Sequence, residues 1–430
     1  MKEKIETLMH RALTFALHNP HSDFYRRKYG AEFEALLSQS VAAVPFLTRP
    51  EIEAVPLRSR VFVPQTMVRF IRSTSGSTGK NVIGFPMLEE GLYQEYLKSI
   101  GHVPVSGQLS RYFEPYFSSM NIKSQLLFSA GSFVHEVRVR GMEGRMFISG
   151  DFTQPKLTAR LAAEAQVDAV VGSPSGLVSF APFLKALDGC RAVRLVVAVG
   201  ELATTLQFTK LQEFFPNAKI ASQYGLTESQ GFVGYTCPEK MSSDPKAFHV
   251  AEGSLFIELI SPETGESLPL TAGTEGELVI TTHEPQAFPL IRYRTGDFAR
   301  IRSETCSCEG SPLLFECMGR LTLDRIRVPR GVLTIAAVDQ AVAGLSIEIK
   351  EFAASWDAAG EVPGLSITLY MDEGDGELDE AIAKTLSEGI KIAPALSYAD
   401  IVAEGSVRPI VIECRPVEAW IGWSKKKRLL

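Results

Sequence analysis

The sequence predicts an α/β protein: a large N-terminal part with parallel or mixed sheets covered by helices, an antiparallel β subdomain, and a small C-terminal α+β unit. Three observations predict it. Helical stretches alternate with short apolar runs between Leu157 and Tyr224. After about Pro238, strand-like runs succeed one another without helices, and beyond Arg320 both signals resume in a shorter segment. Length agrees, since 430 residues at roughly 150 per domain allow two or three domains.

The chain opens with an amphipathic helix, because Ile5, Leu8, Met9, Ala12, Leu13, Ala16 and Leu17 follow helical spacing. HSDFYRRKYG and VPFLTRPEIEAVP follow, too punctuated by proline for long helices. Met67–Ile71 and Val82–Phe85 read as strands on either side of a hydroxyl-rich loop. Helical stretches Leu157–Ala165, Leu177–Leu187 and Leu202–Phe215 precede the apolar runs Val167–Val171, Arg194–Val199 and Lys219–Gln223. Short buried strands alternating with amphipathic helices mean a parallel sheet covered on both faces. Strands at Ser254–Ile260, Gly276–Thr282 and Leu290–Arg294, with turns at PETGE and AGTEG, give the antiparallel subdomain. The last unit has strands near Ile347–Phe352, Leu365–Tyr370 and Pro409–Cys414, and a helix near Leu378–Ile390. Its acidic run, Asp372–Glu377, lacks EF-hand spacing and reads as a solvated turn.

Composition narrows the function. With 44 basic and 50 acidic residues the net charge is -6, which gives no electrostatic case for nucleic acid or an anionic membrane as partner. No apolar run approaches the ~20 residues that span a bilayer. The opening MKEKIETLMHRAL has no signal-peptide core and reads as cytoplasmic. Six cysteines in this length are too few for a disulfide scaffold and point to metal binding or burial.

The chemistry starts at RSTSGSTGK, Arg72–Lys80. Ser73, Thr74, Ser75, Ser77 and Thr78 supply hydroxyls, Gly76 and Gly79 free the backbone, and Lys80 adds charge. Such a loop can wrap phosphate oxygens; alone it reads equally as a polar surface turn. It is not a Walker A loop, because Thr74 stands where that pattern needs glycine and Asn81 where it needs Ser or Thr. Function in parallel sheets collects at the carboxyl ends of strands, where Gly200-Glu201 and Tyr224–Ser229 fall.

YGLTES (Tyr224–Ser229), RYRTGDF (Arg292–Phe298) and GRLTLDRIRVPRGV (Gly319–Val332) follow the loop in order and at characteristic separations. Together they resemble the adenylate-forming superfamily of acyl-CoA synthetases, luciferases and adenylation domains. FYRRKYG (Phe24–Gly30), PFLTRPEI (Pro45–Ile52), IRYRTGD and PRGV are similar to the phenylacetate–CoA ligase branch. The likeness covers nearly the whole chain.

The resemblance implies a large ATP- and acyl-binding domain over residues 1–320 and a small mobile domain over 321–430. It implies activation of a carboxylic acid, aryl or arylacetic, to acyl-AMP with ATP and Mg2+, then transfer to coenzyme A. The phosphate loop maps onto Ser73–Lys80. Tyr224, beside Gly225, would lie against adenine, Thr227 would bond phosphate and Glu228 would hold magnesium, a hard cation suited to carboxylate. Asp297 would accept both ribose hydroxyls, Arg320 would contact ribose or phosphate, and Gly200-Glu201 would flank adenine. Phe133 and Ser173, Pro174, Ser175 and Gly176 are nominated for the acyl pocket by position. Within WSKKKRLL, the K-x-x-R frame selects Lys425 as the catalytic lysine, although Ser424 replaces the usual glycine. Thr322 stands at the hinge where the family has Asp or Lys, and Asp324 is displaced.

Cys237, His249, Cys306 and Cys308 offer three thiolates and an imidazole, the soft ligands of a closed structural zinc site without chemistry of its own. Related phenylacetate-type ligases carry similar positions. Two other functions fit the same motifs. One is an adenylating enzyme that hands its acyl group to a carrier protein or an amine; the other is a degenerate binder of nucleotide or acyl ligand without turnover. The resemblance also admits a homodimer.

Overall fold

The computed structural model describes residues 2–73, 84–88, 118–122, 146–150, 154–229, 231–252, 255–283, 286–302, 306, 313–321, 324–358, 362–372 and 380–416. Strands β1 (Val68–Ser73) and β2 (Gly84–Leu88) form an antiparallel pair. Strands β3 (Ser118–Ile122), β4 (Met146–Gly150), β5 (Ala169–Gly172), β6 (Leu195–Val199) and β7 (Lys219–Leu226) run parallel. Next come β8 (Gly231–Thr236), β9 (Phe248–Val250), β10 (Leu255–Ile260), β11 (Ser267–Leu268), β12 (Glu275–Thr282), β13 (Tyr293–Ile301) and β14 (Leu314–Arg320), all paired antiparallel.

The expected parallel sheet and antiparallel subdomain are one structure. All of β3 to β14 join in a twelve-stranded sheet of order β11-β10-β12-β13-β14-β9-β8-β7-β6-β5-β3-β4. The join is β7 to β8, a hairpin that reverses the chain at the motif Tyr224–Ser229.

Helices Pro155–Glu164, Pro174–Lys185 and Thr205–Phe214 form where the amphipathic pattern places them. They share one core with Val170, Val196, Ala198 and Ile220, alternate residues of the parallel strands, so all three lie on one face of the sheet. Ala169, Val171, Leu195, Val197 and Ala221 line the opposite face and are equally buried. Both faces of the parallel half are thus buried, and these three helices cover one of them. The first helix, Lys2–Leu17, buries Met9, Ala12, Leu13, Ala16 and Leu17 against the antiparallel half, beside Leu278, Ile280 and Phe315.

One expected strand is displaced. The expected Leu290–Arg294 enters the strand only at Tyr293 and Arg294, because Arg292 just before it adopts a left-handed φ of 48°. Burial explains the irregularity. The Arg292 guanidinium is 2% exposed and donates from Nε (3.2 Å) and Nη2 (3.0 Å) to Glu258, and from Nη1 to the carbonyls of Ala42 (3.0 Å) and Val44 (2.7 Å). Burial raises the Glu258 carboxyl and the charge of Arg292 opposes that rise.

Beyond Arg320 the chain leaves the large sheet. Hairpin β15 (Arg325–Val328) and β16 (Gly331–Thr334), helix Ile335–Ala343, and the strands β17 (Glu351–Asp357), β18 (Gly364–Met371) and Val411–Pro416 surround a separate core. Leu202 and Leu206 of the large part also pack against that core. Polar contacts supplement them: the Thr205 N–H donates to Asp339 (2.8 Å), Gln207 Nε2 donates to Glu351 (2.9 Å), and Lys246 lies 3.6 Å from Asp339.

Two outcomes follow from these buried charges. Arg292→Met leaves Glu258 without its cation and should lower stability to denaturant by about 3–5 kcal/mol; adding Glu258→Gln should restore most of it. Lys210, on the helix facing β17, is lowered from 10.5 to about 8, first by burial, with Glu351 opposing the shift. A lysine whose folded value lies below its unfolded value resists folding while protonated, so stability should rise between pH 8 and pH 10.5. Denaturation midpoints across that window should climb less in Lys210→Met than in the parent.

Candidate active site

Three neighbouring strands, β5, β6 and β7, end at the same edge of the sheet, and each is followed by a nominated stretch. After β5, Ser173 caps helix Pro174–Lys185, its Oγ accepting the Gly176 N–H at 3.3 Å. After β6, Gly200 turns the chain at a φ of 90°, which glycine tolerates. That turn sends the Glu201 carboxylate back to the neighbouring helix, where it accepts the Ser175 N–H (2.8 Å) and the Ser175 hydroxyl. A carboxylate at a helix N-terminus satisfies donors that the helix cannot. Gly200-Glu201 and the stretch Ser173–Gly176 are thus fastened together.

After β7, a register shift between Tyr224 and Gly225 re-aims the strand end. The Tyr224 ring packs edge-on to Phe315 with centroids 6.0 Å apart, and its hydroxyl donates to Asp297 Oδ2 at 2.6 Å. Thr227 and the buried Glu228 lie in the turn that follows. Burial, then the charge of Asp297, raises the Tyr224 phenol well above its ordinary range.

Asp297 arrives from the antiparallel half. Glu277, itself buried, accepts Arg294 Nε (3.0 Å) and the Gly296 N–H (3.2 Å), while Gly296 adopts a φ of 71°. Thr295 ties the turn further, donating to the Leu278 carbonyl (2.7 Å) and accepting the Asp297 N–H (3.0 Å). Arg320 is the cross-strand partner of Asp297 on β14, and its Nε sits 3.0 Å from Oδ1. That carboxylate raises the Arg320 guanidinium further above its already high range, so the guanidinium stays charged throughout the accessible pH range. One carboxylate therefore holds a phenol on one oxygen and a guanidinium on the other.

Two contributors escaped the reading of the sequence. Tyr293 donates its hydroxyl to Glu228 Oε1 at 3.3 Å, and Arg49 Nη1 lies 3.7 Å from the same oxygen. Both sit inside stretches that carried the resemblance, RYRTGDF and LTRPEI, but neither residue type by itself announces a role. Asp324 also acts near the boundary. Its carboxylate accepts the Arg320 N–H (2.8 Å) and its N–H donates to the Arg320 carbonyl (2.9 Å). Gly319 makes that approach possible, since a Cβ there would stand 2.8 Å from the Asp324 Cβ.

Cys237 Sγ, His249 and Cys306 Sγ bring their ligand atoms within 4.8 Å of one another, with the two sulfurs 3.0 Å apart. They come from the end of β8, from β9 and from the segment after β13. Cys308 lies outside the described residues, as do Thr74–Lys80, Phe133, Thr322 and Lys425; Ser73 ends β1. No helix among the described residues is long and apolar enough to cross a membrane.

No family model matches the chain. A phenylacetate–coenzyme A ligase of Thermus thermophilus is 26% identical over 274 residues, 63% of this chain and 58% of the relative. The chain thus spans less than two thirds of that relative's length. A phenylacetate–coenzyme A ligase of Escherichia coli is 25% identical over 316 residues, 70% of this chain and 68% of the relative. Among solved structures, 2-hydroxyisobutyryl-CoA ligase in its postadenylation state superposes over all of this chain and 89% of its own, with a TM-score of 0.71 at 15% identity. The same ligase in its thioesterification state gives 0.58. Over part of its length the chain is thus similar in sequence to phenylacetate–coenzyme A ligases, and over all of it the chain shares the fold of 2-hydroxyisobutyryl-CoA ligase.

Proposed function

We propose that the chain is an AMP-forming carboxylate–CoA ligase acting on an aryl or arylacetic acid. The observation that carries the reading is the meeting of two separated motifs at one sheet edge: Thr227-Glu228 after β7, and Asp297 with Arg320 from β13 and β14. Activating a carboxylate with ATP needs a ribose anchor, a magnesium ligand, a grip on phosphate and relief of repulsion between two anions.

Asp297 serves as the ribose anchor, held rigid by Tyr224 and Arg320 so that its oxygens need no reordering when hydroxyls arrive. The Tyr224 ring lies against adenine, and Thr227 donates to phosphate. Glu228, a buried carboxylate beside a threonine hydroxyl, is a donor set that fits magnesium. That ion, when bound, draws charge from the phosphates as the acyl–phosphate bond forms. Ser73–Lys80 grips the remaining phosphates, and Lys425 from the C-terminal unit neutralises the carboxylate and the α-phosphate. The acid's oxygen attacks the α-phosphorus and pyrophosphate leaves; the thiol of coenzyme A then attacks the acyl carbon and AMP leaves. The C-terminal unit, residues 321–430, turns about Arg320–Asp324 between the two steps.

Cys237, His249 and Cys306, with Cys308, hold one zinc ion. The support is the convergence of a soft donor set across three strands' ends. Elemental analysis should find about one zinc per chain, and Cys306→Ser should lose the metal and melt at lower temperature. A full-length preparation without zinc and with undiminished melting temperature would remove this assignment.

The test of the reaction is acid-dependent pyrophosphate release, across acetate, benzoate, phenylacetate and longer acids. Release with aromatic acids, giving thioester only with coenzyme A, is the expected result. Adenylate that accumulates despite coenzyme A would point to a carrier-protein thiol or an amine as acceptor. Silence with every acid, in protein that binds ATP, would leave a nucleotide-binding protein without turnover.

A further inference from the structure

Arg49 brings its guanidinium to 3.7 Å from Glu228, and its placement is heavily built. Thr48 and Glu51 form a reciprocal cap at the start of helix Arg49–Glu53, with the Thr48 N–H and hydroxyl both 2.8 Å from Glu51. Just before it, Leu47 bridges Tyr293: the Leu47 N–H donates to the Arg292 carbonyl (3.0 Å), and the Arg294 N–H donates to the Leu47 carbonyl (2.9 Å). The guanidinium is then shared. Its Nε donates to Glu53 at 2.8 Å and its Nη1 faces Glu228 Oε1 at 3.7 Å. Its side chain is only 16% exposed and that of Glu228 8%, so water screens the pair weakly.

We propose that Arg49 is a resident counter-cation for Glu228. It neutralises the buried carboxylate before nucleotide arrives and competes with a divalent ion for the same oxygen. The 3.7 Å separation is a charge contact, looser than the hydrogen bond from Tyr293 at 3.3 Å, so a metal can displace it. A free divalent ion meets a site whose charge is already balanced. An ion bound to ATP brings phosphate charge with it and offers Arg49 a second anion. Metal uptake is thereby coupled to nucleotide. The inference rests on Glu228 being the magnesium ligand, and Arg49 acts through it as a positioning residue.

The test measures Mn2+ binding without nucleotide, from loss of the free-ion electron paramagnetic resonance signal. Arg49→Gln should bind Mn2+ about tenfold more tightly than the parent, and Arg49→Lys, which keeps the charge, should stay near the parent. Glu53→Gln changes an accessible residue and removes the carboxylate charge that competes with Glu228 for Arg49. It should weaken binding by about two- to threefold, so the proposal stands exposed even where Arg49→Gln folds poorly. Unchanged or weaker binding in Arg49→Gln, or unchanged or tighter binding in Glu53→Gln, would overturn it. Arg49→Gln/Glu228→Gln separates the two ideas. If it binds as tightly as Arg49→Gln alone, Glu228 is not the metal ligand and the reading beneath the proposal fails instead.

Discussion

A single buried cation organises the centre of this protein. Arg292 spends its guanidinium on Glu258 of β10 and on two carbonyls of the segment before Leu47, and is forced into a left-handed backbone to do so. Desolvating a guanidinium is costly unless every donor finds a partner. Here the partners come from parts of the chain about 250 and 34 residues away. The N-terminal segment is thereby stitched to the start of β13, and everything at the site that depends on that strand inherits its position. Tyr293, Asp297 and the bridge at Leu47 follow one after another from this anchor.

Glu277 does a similar job at the other end of the turn. Its carboxylate takes Arg294 and the Gly296 N–H, and so converts a flexible Thr-Gly-Asp sequence into a fixed pedestal for Asp297. Cross-strand pairing with Arg320 then sets the carboxylate's orientation without help from a ligand. Preorganisation of this kind is what allows a charged group to bind without first rearranging.

Much of this was legible in the sequence, because periodicity reports burial directly. The alternation from Leu157 to Gln223 gave the three helices and the strands β5 to β7 within a few residues. Motif order brought Thr227, Glu228, Asp297 and Arg320 to one edge, and three of the four nominated soft ligands, Cys237, His249 and Cys306, lie close together. What escaped were relations between distant residues. Nothing in RPEIE says that Arg49 reaches Glu228, and a tyrosine in a strand signals packing before it signals a hydrogen bond. The misplaced start of β13 has the same origin: apolar Leu290 and Ile291 look like strand, but the buried charge of Arg292 bends the backbone there. The single continuous sheet was also hidden, since hairpin β7–β8 runs through a stretch that read as a catalytic motif.

Gln207 divides its amide between two duties. Its oxygen accepts the Thr204 N–H at 3.1 Å, completing the cap of its own helix, and its nitrogen donates to Glu351 across to the C-terminal unit. The cap does not depend on the far contact. In the proposed rotation of the C-terminal unit, the helix end left behind would keep its cap while the amide nitrogen turned to water. Such a surface would work like a clutch plate, parting and meeting again without that helix end being rebuilt on each cycle.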